Sequence, residues 1–296
     1  MKGTIALVSC GLGISCGLTV LERTAPLVLA NELPIKEAIA EAPGQTIVEN
    51  VAEDNQVTGE SIMPALPGRM AQDPLNSPHP VPWSWVLETQ STMQSLKQTG
   101  VRYYRSPGLM SPDGDYAAYS RVQLHVESDP YQNRVDSVLF VENMKNGSLG
   151  VISPSSPFAA ALGTGTPNPS PVSISLLIPV SWSPDSNQLL AREFDGIFNS
   201  SDLTDYAIVW DRQRNQTHTI APQGMSYATA VLLGWSSRQA GQVLFQAGDF
   251  GQNLWALWNV GTEGNTTIAL EDQPLVMGKT IINPWDGPQA YWTPTR

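Results

Sequence analysis

Cysteine, histidine and charge are all scarce in this chain of 296 residues. It has two cysteines, three histidines and 15% charged residues. Both cysteines, Cys10 and Cys16, fall in the first 30 residues, so the rest of the chain can form no disulfide and must hold together by packing. The net charge of −11 opposes a phosphate backbone, which excludes nucleic-acid binding by bulk charge. There is no H-E-x-x-H and no C-x-x-C, and none of His79, His125 and His218 has a neighbour at ligand spacing. All three read as solvated histidines.

Aromatics are missing altogether from residues 1–82; the 9 Trp, 8 Tyr and 6 Phe all lie in 83–296. Aromatic side chains supply the largest buried areas, so the folded domain is expected over 83–296. Residues 1–30 read as a signal peptide. Lys2 is followed by a charge-free run from Thr4 to Leu21, and Val28-Leu29-Ala30 offers a small-residue cleavage pattern before Asn31. The same run has the length of an uncleaved membrane anchor. Gly11, Gly13 and Gly17 imitate a dinucleotide-binding turn but lack the βαβ unit and acidic residue that it needs. Residues 31–82 carry eight acidic residues against Lys36 and Arg69, with eight prolines, and read as an extended, disordered linker.

What remains is rich in turns. With 24 Gly and 24 Pro the composition suits an all-β fold. Three 15-residue stretches align without gaps: Val138 to Ile152, Tyr206 to Ile220 and Leu254 to Ile268. Each has an apolar run, then Asn143, Asp211 or Asn259, a polar turn with Gly147, Asn215 or Gly264, and a closing Ile. Such a stretch is a β-hairpin. Ahead of each, a short apolar strand ends at Ser111, Ser183 or Ser236, a turn follows, and another strand begins. Pro112 beside Asp113-Gly114, and Pro184 beside Asp185-Ser186, supply the turn chemistry that the third copy lacks.

Two strands and a hairpin make four strands per unit, the pattern of a β-propeller blade. Trp182-Ser183-Pro184-Asp185, Ser111-Pro112-Asp113-Gly114 and, in part, Trp235-Ser236 resemble the W-S-P-D-G opening of TolB-like and WD-like propeller repeats. The resemblance spans Leu109 to Ile268 and implies a fold rather than a task. The chain as a whole also resembles exported cyanobacterial proteins without an assigned activity.

The expected fold is therefore an all-β, β-propeller-like repeat domain of about four blades, closed or open, behind a signal peptide and a disordered linker. A fourth blade is expected from strands at Trp83 to Thr89 and Val101 to Arg105 with strands at Leu275 to Ile282 and Gln289 to Trp292. Pro154 to Pro171 interrupts the repeat and reads as a disordered loop with only Phe158 to anchor it. Trp182, Trp210, Trp235 and Trp258 occupy repeat positions and read as core. Trp83, Trp85, Trp255, Trp285 and Trp292 follow the repeat less well, so an exposed member of this group can bind a sugar or a protein.

Asp195, Asp202 and Asp205 offer oxygen atoms to calcium, but at the wrong spacing for the twelve-residue calcium loop. Asn146, Asn199, Asn215 and Asn265 begin N-x-S/T triplets, which turns favour in any case. No catalytic, cofactor-binding or metal residue is assigned, and no cofactor. The expected function is that of an exported, periplasmic, lumenal or extracellular module that binds a protein partner in the cell envelope without catalysis. It touches no nucleic acid, and touches membrane only through an uncleaved N-terminal segment. A module that binds glycans or small molecules through surface Trp is the alternative, and a hydrolase built on loop carboxylates the third reading.

Overall fold

The computed structural model describes residues 28–29, 73–163, 170–252 and 254–290. The predicted cleavage site, linker residues 31–72, the tip of the 154–171 loop and Trp292 lie outside them. Val28–Leu29 (β1) is a two-residue strand, and the described residues from Asp73 onward begin with a segment that leads into Trp83–Ser95 (α1).

Three four-stranded antiparallel meanders follow in chain order, and each repeat unit seen in the sequence is one of them. The first is Gly100–Arg105 (β2) with Gly108–Met110 (β3), then Tyr116–Val126 (β4), Arg134–Asn143 (β5) and Leu149–Ile152 (β6). Its first strand is split at Ser106 and Pro107, because proline has no N–H to give the ladder. On the edge of β6, β1 pairs with Gly150 and Val151. Pro157–Ala161 (α2) leads to the second meander: Ser173–Trp182 (β7), Gln188–Ile197 (β8), Leu203–Asp211 (β9) and Gln216–Ile220 (β10). The third is Thr229–Ser236 (β11), Val243–Gly248 (β12), Ala256–Val260 (β13) and Thr266–Ile268 (β14). The predicted hairpins are β5–β6, β9–β10 and β13–β14, and Gly147, Asn215 and Gly264 take positive φ of 70°, 51° and 84° in their turns.

A two-residue parallel bridge, Val135 to Ile174 and Asp136 to Ser175, joins the first two meanders into one sheet. The third forms a second sheet, and neither closes into a barrel. Apolar faces hold the units together. Leu139, Val141 and Ile152 meet Leu177, Leu189 and Ile208 between the first and second, while Leu190, Ala207 and Val209 meet Leu232, Val243 and Phe245 between the second and third. All are buried, and each Leu, Val, Ile or Phe contributes about 1.5–3 kcal/mol by leaving water. Trp182 and Trp210 meet edge-on at 6.3 Å beside Tyr116, and Trp235 is buried between the second and third units. Trp258 packs only partly buried against that core.

Of the segments assigned to a fourth blade, Val101 to Arg105 is strand as expected, but it belongs to the first meander as β2. Trp83 to Thr89 is helix, not strand: α1 starts after Pro82 and lays Val86 and Met93 on the face where β4, β5 and β7 merge. A proline just before the first turn and a run free of Gly and Pro favour the helix over the β preference of its tryptophans. Pro274–Leu275 (β15), Lys279–Ile281 (β16) and Gly287–Pro288 (β17) pair in turn with β11, β3 and β2. Between them Met277 accepts from the Trp182 N–H at 2.9 Å, and its own N–H donates to Ser181 Oγ at 2.8 Å. The C-terminal segment thus laces the first strands of all three meanders. Both β7 and β11 bulge at the same repeat position, between Pro179 and Ser181 and between Leu232 and Gly234.

Candidate functional site

The linker was expected to run to residue 82, but residues 73–82 are part of the domain. Asp73 and Val81 are buried, and Asp73 is held by the fully buried Arg192 of β8 at 2.6 Å. Arg192 also donates from Nε to Asp205 Oδ1 at 2.8 Å and from Nη1 to the His79 carbonyl at 2.8 Å. Asp205 in turn accepts from the Leu232 N–H at 2.9 Å. One guanidinium therefore ties the N-terminal segment, the second meander and the third. Two carboxylates around one buried cation explain why it stays charged without solvent. Burial pushes Asp205 up to about 6 even though Arg192 pulls it down. His79, expected in solvent, is part-buried with Nε2 2.9 Å from the Leu233 carbonyl. Burial and the Arg192 charge lower its pKa against opposing contributions from that carbonyl and Asp73.

This segment forms one wall of a cleft of about 770 Å³, beside the first strands of the first two meanders and the C-terminal segment. Its lining includes Pro80, Trp83, Trp85, Tyr104, Ile178 and Val276. Trp85 leans on Tyr104 with ring centres 5.3 Å apart, and Trp83 stacks on Phe198 at 5.7 Å, which fixes both indoles. Among the described residues the lining contains no Asp, Glu, Lys, Arg or Cys, and its one histidine is the hydrogen-bonded His79. Such a surface offers apolar and aromatic contact. It offers no charged group to a reacting atom.

The other sequence candidates lie apart. His125 sits on β4 beside Arg134 at 3.0 Å, its pKa lowered by burial and by that charge; His218 is on β10. The proposed calcium triad does not assemble: Asp205 faces Arg192, Asp195 lies on the other face of the β8–β9 ladder, and Asp202 is exposed in the turn. The cause is that FDGIFNSSDLTD is no open loop; its ends are paired strand, and alternation separates the carboxylates. Among the remaining tryptophans, Trp255 is partly buried and Trp285 is 74% exposed.

The 154–171 loop is anchored too, though not chiefly by Phe158. Ser156 is buried and caps α2, its Oγ accepting from the Ala159 N–H at 2.8 Å. The N–H groups of Ser155 and Ser156 donate to Glu193 Oε1 at 2.8 and 3.0 Å. No signal in the sequence pairs these serines with a strand 37 residues away.

No family model and no curated protein matches the chain.

Proposed function

We propose that the chain is an exported, non-catalytic binding domain of the propeller type, built on three blades and closed by its terminal segments, that holds an apolar segment of a protein partner in the cell envelope. The observation that carries this reading is the composition of the cleft: fixed Trp83, Trp85 and Tyr104 among prolines, with no charged side chain among the described residues. Buried aromatic anchors surrounded by apolar surface are what protein interfaces use for most of their binding energy. The W-S-P-D corners and the signal-like N-terminus support the propeller and the export parts of the proposal.

A photo-crosslinking residue placed at Trp85 in the producing cell tests it. One dominant protein adduct, lost on Tyr104→Ala, is the expected result, together with a mature N-terminus at Asn31, a cut that takes β1 off the edge of β6. No protein adduct from a folded, exported chain overturns it. The tilted Trp85–Tyr104 pair also favours a second reading, a sugar ring stacked on the cleft wall. Tryptophan fluorescence that responds to cell-wall glycan fragments, and ceases to respond in Trp85→Ala, decides for that reading.

A further inference from the structure

Away from the cleft, the face of β8 opposite Arg192 carries a second buried polar group. Glu193 and Asp195 are two residues apart on one strand, hence on one face, and both are fully buried. Glu193 Oε1 takes the two N–H groups of the 154–163 loop, and Asp195 Oδ2 takes the Ser156 hydroxyl. Three further oxygens there are buried without a hydrogen-bond partner: Glu193 Oε2, Asp195 Oδ1 and Ser175 Oγ. Ser175 is fully buried and stands directly opposite Asp195 across the β7–β8 ladder. Burial pushes the Asp195 carboxyl up to about 7 against the opposing Ser156 and Ser175 hydroxyls, and Ser175 Oγ is left without a hydrogen-bond partner.

Among the described residues no cationic side chain is bonded to the pair. Arg192 is on the other side of the strand and spent on Asp73 and Asp205; Tyr206 is opposite Glu193 across the β8–β9 ladder and Thr219 bonds Ser155. Two carboxylates buried without compensating charge are costly, and three orphaned oxygens add to the cost. A positive ion at their convergence removes both problems.

We propose that Glu193, Asp195 and Ser175 bind one hard divalent cation, with calcium the best match. The donors are all oxygen, which disfavours zinc and copper. Magnesium demands a near-ideal octahedron and retains most of its water, whereas calcium accepts irregular sets of carboxylate, hydroxyl and water oxygens. This set has two carboxylates rather than three, which places its affinity in the weak range of extracellular calcium modules, about 0.1–1 mM. Because the same carboxylates hold Ser155 and Ser156, the ion fastens the 154–163 loop to the second meander.

The test uses the full chain. Purified protein equilibrated with about 1 mM calcium is expected to hold up to one calcium per chain by elemental analysis, and to melt roughly 1–5 °C higher than in chelator. Magnesium at the same concentration should give a smaller shift. Ser175→Ala keeps the charge and the fold and should weaken calcium binding roughly tenfold or more; Asp195→Asn should abolish it. Absence of bound calcium, with equal melting in calcium and chelator, overturns the proposal. So does a calcium shift that Ser175→Ala and Asp195→Asn leave intact.

Discussion

The Ser236 hydroxyl donates to Asp272 Oδ2 at 2.6 Å, across 36 residues of chain. In the first two units the same bond is local: Ser111 to Asp113 and Ser183 to Asp185, each at 2.6 Å. The third unit has lost the aspartate two residues on and recovers it from the approach to β15. Asp272 also accepts from the Asn259 amide at 2.8 Å and the Ser237 N–H at 3.1 Å. Burial by itself would raise the Asp272 pKa, but these donors outweigh it and hold the carboxyl well below its usual range.

Asp272→Ala should therefore cost more than the corresponding change at a local corner. It strands Ser236, Asn259 and a backbone N–H in a buried site, a loss of about 1–3 kcal/mol. Asp113, part-exposed and also paired with Arg212, is better served by water when its partners are lost. Urea midpoints of Asp272→Ala and Asp113→Ala compare the two directly, and equal losses would refute the assignment of Asp272 as the third corner carboxylate.

Arg192 is the second pressure point. Arg192→Met leaves Asp73 and Asp205 buried without a cation, for a loss of about 3–5 kcal/mol. Adding Asp73→Asn and Asp205→Asn to that variant should restore part of the stability, because the stranded charges are gone. Chemical unfolding of the single and triple variants checks this. A triple variant less stable than the single one would show that the carboxylates act by something other than charge.

Much of this fold was legible in the sequence because each unit repeats its own turn chemistry. Asn143, Asp211, Gly147 and Asn215 mark hairpin turns by local conformational preference, and the alternation from Tyr119 to Val126 marks a half-buried strand. The candidate site was not legible. Asp73 and Arg192 are 119 residues apart, and nothing near Asp73 distinguishes it from seven other acidic residues of the apparent linker. Trp83 and Trp85 were singled out, but as strand residues; their cleft exists only because a helix turns them toward β2 and β7. Aromatic content located the core and misplaced its boundary, since the segment that closes it is held by charge and backbone.

His79 sets a pH dependence whose sign follows from its lowered pKa. The folded state holds the proton less tightly than the unfolded chain, where the ordinary value is 6.5. Its contribution to stability is thus present above 6.5 and lost as pH falls through the lower folded value. His79→Gln keeps a donor for the Leu233 carbonyl but cannot titrate. The melting temperature of the native chain should drop between about pH 7 and pH 5 more steeply than that of the variant. Identical slopes would mean that His79 opens to solvent without disturbing Arg192 and Asp73.

Gly278 lies where the C-terminal segment passes from β7 to β3, with φ of +114°. A side chain there is doubly opposed. The backbone conformation is one that residues other than glycine rarely adopt, and a Cβ atom would lie 2.9 Å from the Met110 carbonyl oxygen and 3.1 Å from the Trp182 ring. Gly114 has φ of +75° but open space around it, so alanine there meets only the backbone penalty. We expect Gly278→Ala to cost about 2–3 kcal/mol and Gly114→Ala about 1 kcal/mol, read from urea unfolding. The difference arises because the segment cannot shift away: Met277 is bonded to Ser181 and Trp182 on one side and Lys279 is paired with Met110 on the other. If the two variants lose the same stability, the C-terminal segment yields at little cost, and the three meanders are held by their apolar faces alone.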